Sequence, residues 1–188
     1  NWGTAGNWSL GTVPTSTDTH TTTFDATSPA CTVDTSNRAC YILDMSAYVN
    51  TITMTFGIAV YGSITLGSGM TMSGAGYLQS YTPTTAITLT SNGCYVPYLI
   101  LSGVGAHTKT FADNWTVGIL EGGITSTTLI LTLNGFKILV QDAWNLGATA
   151  RLVAGTTTIE LSGGGATSWG GTSAVQSVWS NPIIINKS

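Results

Sequence analysis

Thr51-Ile52-Thr53-Met54-Thr55-Phe56 alternates threonine with an apolar residue, so Ile52, Met54 and Phe56 share one face of an extended chain and the threonines share the other. The same period of two recurs at Ser63-Ile64-Thr65-Leu66, Met70-Thr71-Met72, Ala86-Ile87-Thr88-Leu89-Thr90, Thr128-Leu129-Ile130-Leu131-Thr132-Leu133, Phe136-Lys137-Ile138-Leu139-Val140 and Thr158-Ile159-Glu160-Leu161. Runs this short suit strands and not helices. Glycine punctuates them, at 57, 62, 67, 69, 74 and 76, and Asn92-Gly93 and Asn134-Gly135 mark turns that need a positive φ. Only Asp142 to Ala150 is granted a turn of helix. The chain reads as all-β.

Many short strands with frequent turns fit a β-sandwich or jelly roll, a barrel or a β-solenoid, and alternation alone does not separate them. Three features favour the solenoid. The apolar-Thr-apolar-Gly unit repeats without a strict period. The outward positions are mostly Thr and Ser, which stack as hydroxyl ladders from coil to coil. Charge is nearly missing from the strand faces, where a free-standing antiparallel sheet carries Lys and Glu. The expectation is a parallel β-helix, right-handed, as one domain over 1–188, alone or within a longer chain. At about 20 to 25 residues per coil it would make roughly eight coils, stacking to about 40 Å.

Composition bounds the function. Thr (34), Ser (18) and Gly (23) supply two fifths of the 188 residues, against 5 Lys+Arg and 8 Asp+Glu. With 43% hydrophobic residues the chain is built to fold, since disorder needs low hydrophobicity. A net charge of −3 leaves no basic stripe for phosphates, which argues against nucleic acid and an anionic membrane surface as partners. No apolar run reaches the ~18 residues of a membrane span. The first residue is not Met and no signal-peptide pattern follows, as in a processed or excised chain. Three cysteines lack the CxxC spacing of zinc and redox sites. Cys31 and Cys40 could bridge neighbouring strands, but small buried thiols are the favoured reading.

One ordered set of motifs carries a resemblance. Gly6-Asn7-Trp8-Ser9, Val13-Pro14-Thr15-Ser16-Thr17-Asp18-Thr19 and Phe24-Asp25-Ala26-Thr27 lead into Ala30-Cys31-Thr32-Val33-Asp34, Ala39-Cys40 and Leu43-Asp44. Gly62-Ser63-Ile64-Thr65-Leu66, Phe111-Ala112-Asp113-Asn114-Trp115-Thr116-Val117-Gly118 and Thr157-Thr158-Ile159-Glu160-Leu161-Ser162-Gly163 continue the style. The set resembles β-helical modules of phage virion proteins (tail fibres, tailspikes and head fibres), with related modules in bacterial surface adhesins. The resemblance implies a β-helix and a virion-surface or extracellular setting, not a chemistry. Alternation weakens over 95–110 and 166–180, where a distorted coil or an insertion is expected.

Solenoid glycan lyases and hydrolases work with paired carboxylates. The candidates here are Asp18, Asp25, Asp34, Asp44, Asp113, Asp142, Glu121 and Glu160. Asp18, Asp25, Asp34, Asp44 and Asp113 sit beside turn residues, where a carboxylate fixes a turn by accepting N–H bonds, and Glu160 points outward. His20 and His107 have no metal ligand at the right spacing, no GxSxG elbow occurs, and Gly163-Gly164-Gly165 lacks the Lys and helix of a phosphate loop. No catalytic residue, metal or cofactor is therefore assigned. Among six tryptophans, Trp2 and Trp8 are expected to cover the open end of the core and Trp115 to continue an apolar strand. Trp144, Trp169 and Trp179, set among Asn, Gly and Ser, are the candidate glycan contacts.

The uncharged surface predicts self-association, with three chains side by side as a homotrimer or the ends docked on neighbouring virion proteins. The leading expectation is a non-enzymatic structural or adhesive phage component that meets a host-surface glycan. The alternatives are a tailspike-like glycan depolymerase with its site between chains, and a bacterial surface adhesin or extracellular filament subunit.

Overall fold

The structure is a computed structural model that describes all residues except 18, 35, 83–85, 123–127, 147–149, 153–157, 163–182 and 187–188, with backbone alone at 150–152 and 183–186. Three coils of three strands come first. They are β1 (Thr21–Thr23), β2 (Cys31–Val33) and β3 (Arg38–Cys40), then β4 (Ile42–Asp44), β5 (Thr51–Met54) and β6 (Ile58–Val60), then β7 (Ile64–Thr65), β8 (Thr71–Ser73) and β9 (Leu78–Thr82). Coils of two strands follow: β10 (Ile87–Thr90) with β11 (Tyr95–Gly103), β12 (His107–Phe111) with β13 (Trp115–Gly122), and β14 (Leu129–Thr132) with β15 (Lys137–Leu146). β16 (Ala150–Leu152), β17 (Thr158–Ser162) and β18 (Ile183–Asn186) complete the stack.

All described strand pairs are parallel. They build a seven-stranded sheet (β1-β4-β7-β10-β12-β14-β16), an eight-stranded sheet (β3-β6-β9-β11-β13-β15-β17-β18) and a three-stranded sheet (β2-β5-β8). The β-helix expectation is met and the sandwich is set aside. Thr21 aligns with Ile42, Leu43 with Ile64, Ile64 with Leu89, Ile87 with Lys109, His107 with Leu129 and Leu129 with Ala150. The chain thus makes about six turns from Thr21 to Ala150, slightly different from the roughly eight coils expected for the whole chain, and β17 and β18 carry the eight-stranded sheet beyond them.

The three-stranded sheet stops at β8, yet its wall continues. β11, β13 and β15 are 9, 8 and 10 residues long and bend, and β11 packs against β8 as well as β9. The bend falls at Pro97, at Gly118 and at Gln141-Asp142, between the aligned positions Val96, Val117, Val140 and Tyr98, Ile119, Ala143. This phase slip is why alternation weakens after Tyr95. Over 95–110 the coil is distorted by this bend and no insertion protrudes, since β11 and β12 both pair within the stack, while 166–180 lies outside the described residues. The same bend corrects the helical turn expected from Asp142, because β15 runs through to Leu146.

Inward residues stack in columns. One runs Leu43, Ile64, Leu89, Phe111 and another Ile58, Leu78, Leu99, Leu120, Trp144, all buried. Ile52 and Met54 are inward as expected, but β5 ends at Met54 and Phe56 beyond it is 38% exposed. Asn92 (φ 49) with Gly93 (φ 80) and Asn134 (φ 49) with Gly135 (φ 86) form the expected left-handed turns. Their amides tie coil to coil, Asn92 Nδ2 donating to the Leu66 carbonyl (2.7 Å) and Asn134 Nδ2 to that of Phe111 (3.4 Å). Cys31, Cys40 and Cys94 are buried free thiols, and burial pushes Cys40 up to about 12 and Cys94 to about 11.

Trp2 closes the N-terminal end as the sequence implies. It is fully buried, its backbone N–H donates to the Thr32 carbonyl (3.0 Å), and its ring meets Trp8 (5.2 Å) and Phe24 (5.4 Å). Trp115 opens β13 at 1% exposure, edge-on to Phe111 at 5.6 Å.

Candidate functional site

The outer faces of the two large sheets differ in chemistry. On the seven-stranded sheet, Thr88, Thr110 and Thr132 align, and on the three-stranded sheet the Thr51 and Thr71 hydroxyls lie 2.8 Å apart, so the expected hydroxyl ladders are present. The eight-stranded sheet departs from that pattern: its outward positions carry tyrosine.

Period two sets this face. On β9, Leu78, Ser80 and Thr82 are inward, which turns Tyr77, Gln79 and Tyr81 outward. One coil on, Tyr98, Ile100 and Ser102 stand beside them, followed by Ile119 and Glu121 on β13 and by Ala143 and Asn145 on β15. Two aromatic pairs result. Tyr61 and Tyr81 have ring centres 4.8 Å apart, and Tyr77 and Tyr98 6.0 Å apart and edge-on. Between the pairs Gln79 Nε2 donates to Ser102 Oγ (2.8 Å), and the Tyr98 hydroxyl donates to Glu121 Oε2. The Tyr77 ring fills the space that a Cβ on Gly57 would take, 2.2 Å away. All these side chains are half-buried. Side chains fixed at the base on paired strands and open at the tip suit a binding surface.

At the bend, Gly118 lets three neighbours converge. A Cβ there would meet the Pro97 carbonyl at 2.5 Å, the Tyr95 hydroxyl at 2.6 Å and Asp142 Oδ2 at 2.9 Å. Burial, then Asp142, raises the Tyr95 phenol, and burial with the Glu121 hydrogen bond pushes Tyr98 up to about 12. Both phenols therefore stay protonated at neutral pH as hydrogen-bond donors. The face offers flat rings, phenol donors, two carboxylate acceptors and two side-chain amides. Such a set matches the apolar faces and hydroxyl edges of sugar rings.

The expected glycan contacts fare differently. Trp144 is 1% exposed and belongs to the inward column above Leu120, so it is a core residue and its assignment to the surface is corrected. Trp169 and Trp179, like Gly163-Gly164-Gly165, lie outside the described residues. Asp25 accepts from Thr27 N (2.9 Å), Asp44 from Ser46 N (3.0 Å) and Asp113 from Ser91 N (2.9 Å), in the turn-fixing role the sequence assigns them. Asp34 instead accepts from the Asn1 side chain (2.6 Å), and Glu160 faces outward to an ion pair with Lys137 (2.9 Å). Asp18 lies outside the described residues. His107 is buried at 2% exposure. His20 lines a shallow recess of about 400 Å³ between Trp8, Leu10, Pro14 and β1, in which, among the described residues, no second titratable group stands. Among the described residues no three His, Cys, Asp or Glu side chains converge as metal ligands, and no helix is long and apolar enough to cross a membrane.

The tyrosine face was missed because its members are far apart in sequence. A signal existed: Tyr41, Tyr61 and Tyr81 recur every twenty residues, and Tyr77 and Tyr98 at one coil's spacing. No family model, curated protein or solved structure matches the chain.

Proposed function

We propose that this chain is a non-enzymatic structural and adhesive module of a phage particle, displayed on the virion surface, which binds host-surface glycan through the outer face of its eight-stranded sheet. The observation that carries the adhesive reading is the pairing of stacked tyrosines (Tyr61 with Tyr81, Tyr77 with Tyr98) with the hydrogen-bonding groups of Gln79, Ser102 and Glu121 on rigid strands. Particle context rests on the resemblance of the ordered N-terminal motifs. The aligned threonines Thr88, Thr110 and Thr132 give the seven-stranded sheet an uncharged stretch that supports side-by-side packing into a homotrimer.

A depolymerase reading draws on Glu121 and Asp142, two carboxylates on the glycan-facing side. In the adhesive reading they accept hydrogen bonds from sugar hydroxyls, and their neighbours already engage them, Tyr98 at Glu121 and Tyr95 beside Asp142. Incubation with host polysaccharides separates the two. Retention without new reducing ends is expected, whereas sustained release of oligosaccharides, abolished in Glu121→Gln, would replace the adhesive reading with the enzymatic one. Light scattering tests the assembly: a particle near three times 19.5 kDa is expected, and a monomer at all concentrations contradicts the trimer.

A further inference from the structure

Lys109 stands where an aliphatic side chain belongs. It lies on the inner face of β12, aligned between Ile87 below and Leu131 above, and is fully buried. Its amine reaches across the core to the Thr82 hydroxyl on β9. Two residues before it, His107 also points inward, at 2% exposure. His107 Nδ1 is 3.0 Å from the Gly105 carbonyl, so Nδ1 carries the hydrogen and the neutral ring turns a bare Nε2 into the core. Among the described residues neither that Nε2 nor the buried Ser80 Oγ has a hydrogen-bond partner.

Among the described residues no acid balances these two bases. Every side-chain carboxylate except that of Asp18 is described, and each lies at a turn or on an outer face. The inward residues of the strands paired with β12 are Ile87 and Leu89 on β10 and Leu129 and Leu131 on β14, and those of the facing sheet are Leu78, Ser80 and Thr82 on β9, Val96, Leu99 and Leu101 on β11, and Trp115, Val117 and Leu120 on β13. None of them titrates. In sequence, the segments 83–85, 104–106 and 123–127 that follow β9, β11 and β13 (Pro-Thr-Thr, Val-Gly-Ala and Gly-Ile-Thr-Ser-Thr) bear no titratable side chain either. Cys94, the remaining inward titratable group of these coils, is a thiol that burial keeps neutral.

We propose that Ser80, Thr82, His107 and Lys109 form an acid-sensitive latch in the middle of the solenoid, which holds while both bases are neutral and loosens the coils from β9 to β14 when they take up protons. A cation in this interior has neither water nor a counter-charge, and opening the coil supplies the water.

The direction of titration agrees. Burial lowers Lys109 from 10.5 to about 7, and burial, then Lys109, lowers His107 below 6.5 despite the opposing Gly105 contact. A group whose folded value is depressed in this way is protonated first in the unfolded chain. Lys109 therefore costs stability progressively as pH falls from 10.5 to about 7, and His107 as pH falls through 6.5 and below.

The test is thermal unfolding with hydrogen exchange between pH 8.5 and 5.5. That window lies below the thiol and phenol titrations and above that of Asp25, whose hydrogen bonds lower it further. The wild-type Tm is expected to fall by roughly 5 °C or more towards pH 5.5, with exchange rising first in 78–82 and 107–111. Lys109→Met should remove the fall above pH 7, and His107→Leu the fall below 6.5. A flat wild-type Tm would overturn the proposal, as would a fall kept unchanged in both variants or exchange that opens first elsewhere.

Discussion

The rings of Tyr61 and Tyr81 lie 4.8 Å apart on successive coils, one strand spacing along the stack and tilted by 51°. The solenoid repeat thus converts two tyrosines twenty residues apart into one aromatic surface. Tyr81→Ala removes half of it and leaves the inward side of β9 intact. Glycan affinity, measured by titration calorimetry, should drop about tenfold, roughly 1.4 kcal/mol, with Tm within a few degrees of wild type.

Gly118 sets the geometry of the bend below Tyr98. A methyl there would lie 2.5 Å from the Pro97 carbonyl, closer than packed atoms come, so the strands must part. Gly118→Ala should destabilise the fold by about 1–3 kcal/mol in urea and weaken glycan binding as well. Loss of stability with unchanged binding would place the binding surface away from the bend.

Trp144 separates core from surface. Its truncation to Ala removes the ring that continues the column from Leu120, and should cost about 3–5 kcal/mol. Trp144→Phe should fold with a smaller loss and bind glycan as wild type. Reduced binding by that folded variant would return Trp144 to the candidate contacts.

The thiols supply a kinetic check. Cys40 is fully buried with its thiol held neutral to about 12, and Cys31 and Cys94 are raised by burial too. A thiol reagent at pH 8 should leave all three unmodified in the folded chain and label all three in denaturant. Fast labelling of Cys40 in native buffer would contradict the packing of β3 on β6.

The architecture was legible because its determinants are local. Threonine at every second position, Asn-Gly at the turns and glycine at the corners announce strands and their ends, and the parallel stack follows from repetition. The cap was legible in part: Trp2 and Trp8 stand out at the open end, but Phe24, whose ring packs with both, carries no such signal in sequence. Trp144 misled through its neighbours. Its polar neighbour Asn145 suggested a surface, while its two-residue spacing to Leu146 was the better guide to an inward strand position. Lys109 is a charged residue type with no apolar signal of its own, yet it alternates with Phe111 and so shares its inward face. The tyrosine face depends on register between coils, which only the stacked strands reveal.

Sugar binding by the tyrosine face is tested by retention of the chain on a panel of immobilised bacterial surface glycans beside Tyr77→Ala/Tyr98→Ala. Wild type should be held by at least one glycan and eluted by its soluble form, while the folded double variant passes through. Equal retention of both chains, or no retention of wild type across the panel, would contradict it.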